Sequence, residues 1–229
     1  EVRAVLQAWF PGQEAGHAIA DVLLGRVEPG GRLPQTFPAR LEDDPVHPEH
    51  PDRQYPGEDG HVEYYEGLYI GYRHADRANL TPLFPFGFGL SYTTFELGEP
   101  RLSADTVGPD DEITITIPIR NTGDRAGQTV VQLYVRDAEA RLERPSKELK
   151  GFAKVALQPN EAQDVTLTLD MRALAYYDDS RRAWVADAGD FELLIGTSSA
   201  DLPGTASVHL VREWMQPVSA SVSQDKVQS

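Results

Sequence analysis

The stretch Ile113-Thr-Ile-Thr-Ile-Pro-Ile119 places an isoleucine at every second position, with threonine or proline between them. Because successive side chains of a strand point to opposite faces, this alternation predicts a strand with one buried face and one solvated face. Val165, Leu167 and Leu169 repeat the pattern farther along the chain. Strands of this kind are typical of antiparallel sheets.

Further strand candidates follow at short intervals, separated by turn signals such as Asn121-Thr-Gly and Ala188-Gly-Asp. The predicted strands are 112–120, 129–136, 147–156, 163–169, 183–187, 190–196 and 205–212. Short strands at this spacing predict an all-β, immunoglobulin-like sandwich over residues 91–212.

The first 38 residues predict α/β structure. Residues 2–10 indicate a buried strand of a parallel sheet, and a helix is expected from Pro11 to Leu24, with Gly25 as its C-terminal stop. A parallel strand needs neighbours on its edges and cover on both faces, and the rest of such a sheet is not in the sequence. We therefore expect the chain, which begins without Met, to be the C-terminal piece of a larger protein.

Residues 39–90 predict a long connector. Nine acidic residues and only one Arg lie between Glu42 and Glu66, and a run of closely spaced aromatic residues, Tyr64 to Arg73, indicates that ordered, strand-like structure returns there. Loops of this length are usually functional or disordered. The last residues, 213–229, are expected to form a loose tail.

The composition excludes several classes of function. The formal net charge is −15, and no Lys/Arg cluster exists that could bind a phosphate backbone, so no nucleic-acid partner is expected. No apolar run approaches the roughly 18 residues of a membrane span, and the absence of Cys excludes disulfides and thiolate metal sites. The Arg-, Ala- and Asp-rich composition favours the bacterial cytoplasm, while secretion stays open because a signal peptide could precede residue 1.

Several long motifs run in order from residue 4 to about residue 202. The earlier ones are Trp9-Phe-Pro-Gly-Gln-Glu-Ala-Gly-His-Ala, Gly30-Gly-Arg-Leu-Pro-Gln-Thr-Phe-Pro, Tyr65-Glu-Gly-Leu-Tyr-Ile-Gly-Tyr-Arg and Pro85-Phe-Gly-Phe-Gly-Leu-Ser-Tyr-Thr. The later ones are Val131-Gln-Leu-Tyr-Val, Arg144-Pro-Ser-Lys-Glu-Leu-Lys-Gly-Phe and Gly189-Asp-Phe-Glu-Leu-Leu-Ile-Gly. The first set resembles family 3 glycoside hydrolases, the β-glucosidase group, and the second resembles that family's fibronectin type III-like domain.

The resemblance implies that the chain is one part of a larger enzyme whose catalytic residues lie in other parts. Enzymes of this family have a barrel that carries the nucleophilic Asp, an α/β sandwich domain that carries the acid/base Glu, and then the fibronectin-like domain. The resemblance therefore implies that residues 1–38 end the α/β sandwich domain and that both catalytic residues lie outside this chain. It also implies retaining hydrolysis of terminal, non-reducing β-linked sugars without any cofactor.

The connector also contains carboxyl and imidazole groups that are candidates for a catalytic pair or a metal site. A retaining glycosidase needs two carboxyl groups roughly 5 Å apart, one of them with a raised pKa. Glu58, Asp59, Glu63 and Glu66 offer carboxyl groups, but the composition around them predicts a solvated acidic loop, so no catalytic residue is assigned. The run His47-Pro-Glu-His50-Pro-Asp52 lacks a closing ligand pair and predicts a polar loop, so no metal site is expected.

Four residues are candidates for the rim of a sugar site. Gln13 and Glu14 open the predicted helix, and a helix N-terminus after a parallel strand faces the ligand crevice of an α/β sheet. The helix dipole alone also explains an acid at Glu14. Tyr64 and Tyr65 could stack on a pyranose ring, although aromatic residues interspersed with glycine more often pack at domain interfaces.

Two functional hypotheses follow. The first is that the chain is the structural C-terminal portion of a β-glucosidase-like hydrolase, whose partner is the missing barrel and α/β sandwich portion. The second is a freestanding, non-catalytic carbohydrate-binding or scaffold module, because immunoglobulin-like sandwiches carry many binding functions. The second would leave the apolar side chains of Val5, Leu6, Trp9 and Phe10 uncovered.

Overall fold

A computed structural model describes residues 2–46, 54, 56–137 and 139–218. Helices α1 (Ala15–Leu23) and α2 (Tyr72–Arg77) lie in the N-terminal region, with a short 3₁₀ turn at Leu41–Asp43 between them. A further helical turn, α3 (Met171–Leu174), lies inside the β domain and starts at Asp170, whose carboxylate accepts a hydrogen bond from the backbone N–H of Ala173.

The β domain contains twelve strands. They are β1 (Phe95–Leu97), β2 (Arg101–Leu102), β3 (Thr106–Val107), β4 (Ile113–Asn121), β5 (Gly127–Asp137), β6 (Glu148–Leu157), β7 (Ala162–Leu169), β8 (Tyr176–Asp178), β9 (Ala183–Ala186), β10 (Gly189–Gly196), β11 (Gly204–Leu210) and β12 (Trp214–Pro217). Every predicted strand is present, and no end differs from the prediction by more than two residues.

Two sheets form the sandwich. In one, β7 pairs with one edge of β4, while β1 and β2 pair with the other. In the second sheet the strand order is β3-β11-β10-β5-β6, and only the β3–β11 pair is parallel. Strands β12, β9 and β8 form a separate three-stranded sheet.

The core lies between the two sheets. The four isoleucines of β4 are at most 1% exposed, as their alternation predicted. They meet apolar side chains of β5 and β10, including Leu133, Phe191 and Leu193. Burial of apolar area of this extent is the main stabilising contribution to the fold.

The buried strand predicted over residues 2–10 is wrong. These residues form no strand, and Phe10 is fully exposed. A strand needs a neighbouring strand to satisfy its N–H and C=O groups, and the described residues provide none for this segment. The helix is also shorter than predicted, because the turn before it places Gly12 at φ +72° and α1 begins only at Ala15. Gly25, at φ +68°, ends the helix as predicted.

The strand-like structure predicted for Tyr64–Arg73 is also wrong. Residues 65–68 form turns, and α2 begins at Tyr72. Gly67 and Gly71 adopt positive φ angles of 55° and 56°, which turn the chain and prevent a continuous strand. Farther along, Trp214–Pro217 of the predicted tail forms β12, because it pairs with β9.

Candidate functional site

The end of α1 is attached to the sandwich by side chains that reach its backbone. The Tyr92 hydroxyl donates a hydrogen bond to the carbonyl oxygen of Val22 (2.7 Å), and Arg125 Nη2 donates one to the carbonyl oxygen of Gly25 (2.6 Å). The carbonyl oxygen of Val22 also accepts a hydrogen bond from the backbone N–H of Gly25 (2.9 Å), so Tyr92 provides it with a second donor. We call these four residues the helix latch.

A second attachment follows a few residues later. The backbone N–H of Gln128 donates to Glu28 Oε2 (3.1 Å), and Arg32 Nη2 donates to Thr129 Oγ1 (2.8 Å). Arg32 also donates to the carbonyl oxygen of Gly89. Burial lowers the pKa of the Arg32 guanidinium, and the charge of Glu28 opposes that shift. The segment around residue 30 is therefore held against the first residues of β5.

Helix α2 is attached to the beginning of β6 by two ion pairs. Arg73 Nη2 lies 3.0 Å from Glu148 Oε1, and Lys147 Nζ contacts Asp76 Oδ2. All four side chains are at least half buried, so they are screened by solvent less than surface pairs are. We call these four residues the α2 clamp.

A buried guanidinium lies beneath the clamp. Arg144, whose side chain is 5% exposed, binds Asp137 (3.0 Å) and Glu148 (2.8 Å) and donates to the carbonyl oxygen of Leu174 (2.9 Å). Glu148 therefore binds both Arg144 in the sandwich and Arg73 on α2. Only the motif that begins at Arg144 marks this cluster in the sequence.

The pKa of Glu148 is lowered in the folded chain. Burial alone would raise it, but the hydrogen bond from Arg144 and the positive charges of Lys150, Arg144 and Arg73 outweigh burial. A carboxyl group with a lowered folded-state pKa stabilises the fold above its unfolded-state pKa, and the contribution is lost as pH falls through the folded value.

We therefore expect the stability difference between the parent chain and the Glu148→Gln variant to be largest at neutral pH. It should shrink as the pH falls below 4.5, the ordinary value of this group. Urea unfolding at a series of pH values measures it, with Glu192→Gln as the control, because Glu192 forms an exposed pair with Arg136. A difference that stayed constant from pH 7 to the acid limit of folding would contradict the assignment.

A cleft of about 770 Å³ lies between residues 34–46 and α2. Phe37, Tyr72 and Phe86 contribute aromatic lining, and Asp43 lies at its edge. The hydrogen bond from Arg40 lowers the pKa of Asp43, which keeps this carboxylate ionised at neutral pH. Asp43 is therefore not a protonated acid that could cleave a glycoside.

The other carboxyl groups whose pKa is clearly shifted also lack a raised pKa. Among the residues that the structure describes, all four of these groups have a lowered pKa, namely Asp43, Glu148, Asp178 and Glu213. Retaining hydrolysis needs one carboxyl group with a raised pKa that can protonate the leaving oxygen. None of these four carboxyl groups meets that requirement.

The four predicted rim residues do not form a common site. Gln13 and Glu14 are exposed at the start of α1, where Glu14 Oε2 lies 2.9 Å from His17 Nδ1 instead of capping the helix backbone. Tyr64 and Tyr65 are exposed in the connector. None of the four lines the cleft.

Two acidic residues of the connector lie in local structure. Glu66 Oε2 accepts a hydrogen bond from Gln54 Nε2 at 2.9 Å, and Asp59 lies in a turn. The motif from His47 to Asp52 lies outside the described residues. Within the described ranges, no group of three or more His or acidic side chains could hold a metal ion, and no helix is long and apolar enough to cross a bilayer.

An exposed apolar surface distinguishes the N-terminal region. Large apolar side chains that are more than 40% exposed occur along the first 27 residues, at Val2, Val5, Leu6, Trp9, Phe10, Leu23, Leu24 and Val27. Contiguous apolar surface of this kind marks interaction sites in folded proteins. We call residues 2–10 together with Leu23 and Leu24 the N-terminal face.

Comparisons with known sequences match both halves of the chain. The family model of the glycosyl hydrolase family 3 C-terminal domain matches residues 1–92, and that of the fibronectin type III-like domain matches residues 129–199. A β-glucosidase of Rhizobium radiobacter is 51% identical over 218 residues, which are 95% of this chain and 26% of the relative. The thermostable β-glucosidase B of Acetivibrio thermocellus is 45% identical over 92% of this chain and 27% of its own length.

Solved structures give the same result. The family 3 β-glucosidase of Bifidobacterium adolescentis superposes with a TM-score of 0.82 at 40% identity, over 89% of this chain and 29% of that one. The β-glucosidase of Kluyveromyces marxianus in complex with glucose superposes with a TM-score of 0.83 at 39% identity, over 92% and 24%. The chain thus spans about a quarter of the length of these relatives, and it belongs to the C-terminal part of the family 3 glycoside hydrolases, with that family's fibronectin type III-like domain.

Proposed function

We propose that this chain is the non-catalytic C-terminal portion of a retaining β-glucosidase-like hydrolase that acts on terminal, non-reducing β-linked sugars. Such enzymes work by double displacement through a glycosyl-enzyme, with one carboxylate as nucleophile and one carboxyl group as acid and base. No cofactor is required for this reaction.

The observation that carries the proposal is the N-terminal face. Phe10 is fully exposed, Val2 is 81% exposed, and the backbone of residues 2–10 lacks a strand partner among the described residues. We propose that these residues join the sheet of an α/β sandwich domain contributed by the rest of the enzyme. Its barrel and the remainder of that sandwich would be the partner of this chain.

The division of the chain follows from the same proposal. Residues 1–38 end the sandwich domain, 39–90 form the connector, 91–212 form the fibronectin-like domain, and 213–229 form the tail. Gln13, Glu14, Tyr64 and Tyr65 are proposed to reach the rim of the sugar site in the assembled enzyme. Their exposure in this chain supports that role, because a rim residue must remain accessible to substrate.

Hydrolysis of nitrophenyl β-glucoside tests the proposal. We expect no turnover by the purified chain, because a retaining mechanism needs the missing acid and nucleophile. Adding the part of the R. radiobacter β-glucosidase that lies outside the matched region should restore turnover. The intact relative serves as positive control, and Tyr64→Ala in the restored enzyme should raise KM if this residue lies at the rim.

Two results would contradict the proposal. Turnover by the chain alone would mean that a carboxylate pair lies within these residues. Failure of the two parts to associate would favour a freestanding binding module, for which the complete core of the sandwich is the supporting observation. A monodisperse monomer in sedimentation velocity, without any affinity for the added part, would identify that second case.

A further inference from the structure

A second exposed apolar surface lies in the connector. Between residues 62 and 70, five large apolar or aromatic side chains are more than half exposed, namely Val62, Tyr64, Tyr65, Leu68 and Ile70. Isolated exposed apolar residues are normal, but five within nine residues form a continuous stretch of the kind found at protein interfaces. We call residues 62–70 the connector face.

The connector face is attached to the β domain near its C-terminal end. The Tyr69 hydroxyl donates a hydrogen bond to Glu143 Oε1 (2.9 Å), and the Arg77 guanidinium lies 4.0 Å from the centre of the Tyr69 ring. Burial and the hydrogen bond to Glu143 raise the pKa of this hydroxyl, which therefore stays protonated as a donor. Tyr69 thus points toward the sandwich, while Leu68 and Ile70 on either side of it remain exposed.

The α2 clamp fixes the end of the same segment. Helix α2 begins two residues after Ile70, and its Arg73 and Asp76 bind Glu148 and Lys147. The ring of Tyr72 also packs edge-on against the buried ring of Tyr134, with centroids 5.6 Å apart. A segment held at two places has already lost part of its conformational entropy, which lowers the entropic cost of binding a partner.

We infer that the connector face is a second docking surface for the missing portion of the enzyme, used together with the N-terminal face. The inference rests on the proposed function. The occupant follows from two findings: residues 62–70 lie inside the match to the family's C-terminal domain, and relatives are roughly four times as long as this chain. Chain outside these residues is therefore available to cover the face.

Both docking faces adjoin segments that are attached to the fibronectin-like domain. The helix latch and the Glu28 contact attach the N-terminal region to the start of β5, and the α2 clamp attaches the connector to the start of β6. Strands β5 and β6 pair in one sheet. Once one face has bound, the other is already in place, so the second contact forms at a high effective concentration.

The test measures affinity between this chain and the R. radiobacter portion that lies outside the matched region, by isothermal titration calorimetry. The double variant Val62→Ser/Leu68→Ser should bind at least about tenfold more weakly, since two apolar side chains lose their burial. The matched control is Phe152→Ser, because Phe152 is 67% exposed on β6 and lies outside both faces. Its affinity should equal that of the parent chain.

The Phe10→Ser variant separates this inference from the proposed function. Weaker binding by Phe10→Ser, together with parent-like binding by Val62→Ser/Leu68→Ser, would contradict the docking role of the connector face and leave the proposed function intact. The absence of any binding by the parent chain would contradict the proposed function itself. Thermal unfolding of each free variant provides the folding control, and all should melt close to the parent because the replaced side chains are exposed.

Discussion

Replacing Arg144 by methionine is expected to lower the free energy of unfolding by about 3–5 kcal/mol. The guanidinium is 5% exposed and lies between the carboxylates of Asp137 and Glu148, which are 6% and 15% exposed. Without it, Asp137 loses a buried charged partner, and the carbonyl oxygen of Leu174 loses a donor. Methionine fills much of the space, so the expected loss comes from uncompensated charge and not from a cavity.

Urea unfolding measured by circular dichroism would determine this loss. The matched control is Arg101→Met, because Arg101 pairs with Asp164 at 2.7 Å on the surface, where both side chains are more than half exposed. Exposed pairs contribute at most about 1 kcal/mol, so this control should be nearly neutral. Equal effects of the two replacements would show that the Arg144 cluster is not a stabilising centre of the fold.

Replacing Phe191 by alanine should cost about 3–5 kcal/mol. Phe191 lies on β10, is 1% exposed, and belongs to the core between the two sheets. Removal of its ring leaves a cavity that surrounding strands cannot close without disturbing the pairing of β10 with β5 and β11.

The second phenylalanine of the same sheet provides the control. Phe152 on β6 is 67% exposed, so Phe152→Ala should change the unfolding free energy by less than about 1 kcal/mol. Midpoints and slopes of urea unfolding would be compared, because a changed slope would indicate an altered unfolded state. A large loss in the control would mean that Phe152 is covered in the isolated chain.

The sequence predicted the long strands well and the short ones poorly. Alternation over seven or more residues, as in β4, β7 and β10, is a strong signal because one face of each strand is buried. Strands β1, β2, β3, β8 and β12 were not predicted. Each has two to four residues, too few for a periodic pattern, and forms because a longer neighbour offers its edge.

In the N-terminal region, by contrast, the sequence predicted a strand that the structure does not form. The apolar run over residues 2–10 suggested a strand, yet the segment has no partner among the described residues and stays exposed. The alternation of apolar residues indicates which side chains a strand would bury, but burial also needs neighbouring elements, and the described residues provide none for this segment. The exposed apolar surface that results is, in the proposed function, the most useful feature of the region.

The candidate site could be predicted only in part. The motif from Arg144 to Phe152 was recognised as a family resemblance, but its physical role emerged from the contacts of Arg144 and Glu148. Ion pairs between residues about 75 positions apart leave no local pattern in the sequence. The rim candidates Gln13, Glu14, Tyr64 and Tyr65 remain predictions, because their role requires the rest of the enzyme.

The sharing of Glu148 between Arg144 and Arg73 has a practical consequence for chimeric enzymes. The boundary of the β domain at residues 90 and 91 is the obvious place to join two relatives. A fibronectin-like domain from another relative would then have to supply an acidic residue that pairs both with its own arginine and with Arg73 of the retained part. The helix latch also crosses this junction, because Arg125 of the β domain donates to the carbonyl oxygen of Gly25 in the N-terminal region. Recombination should therefore succeed more often when residues 1–218 are exchanged as one block than when the β domain is exchanged alone.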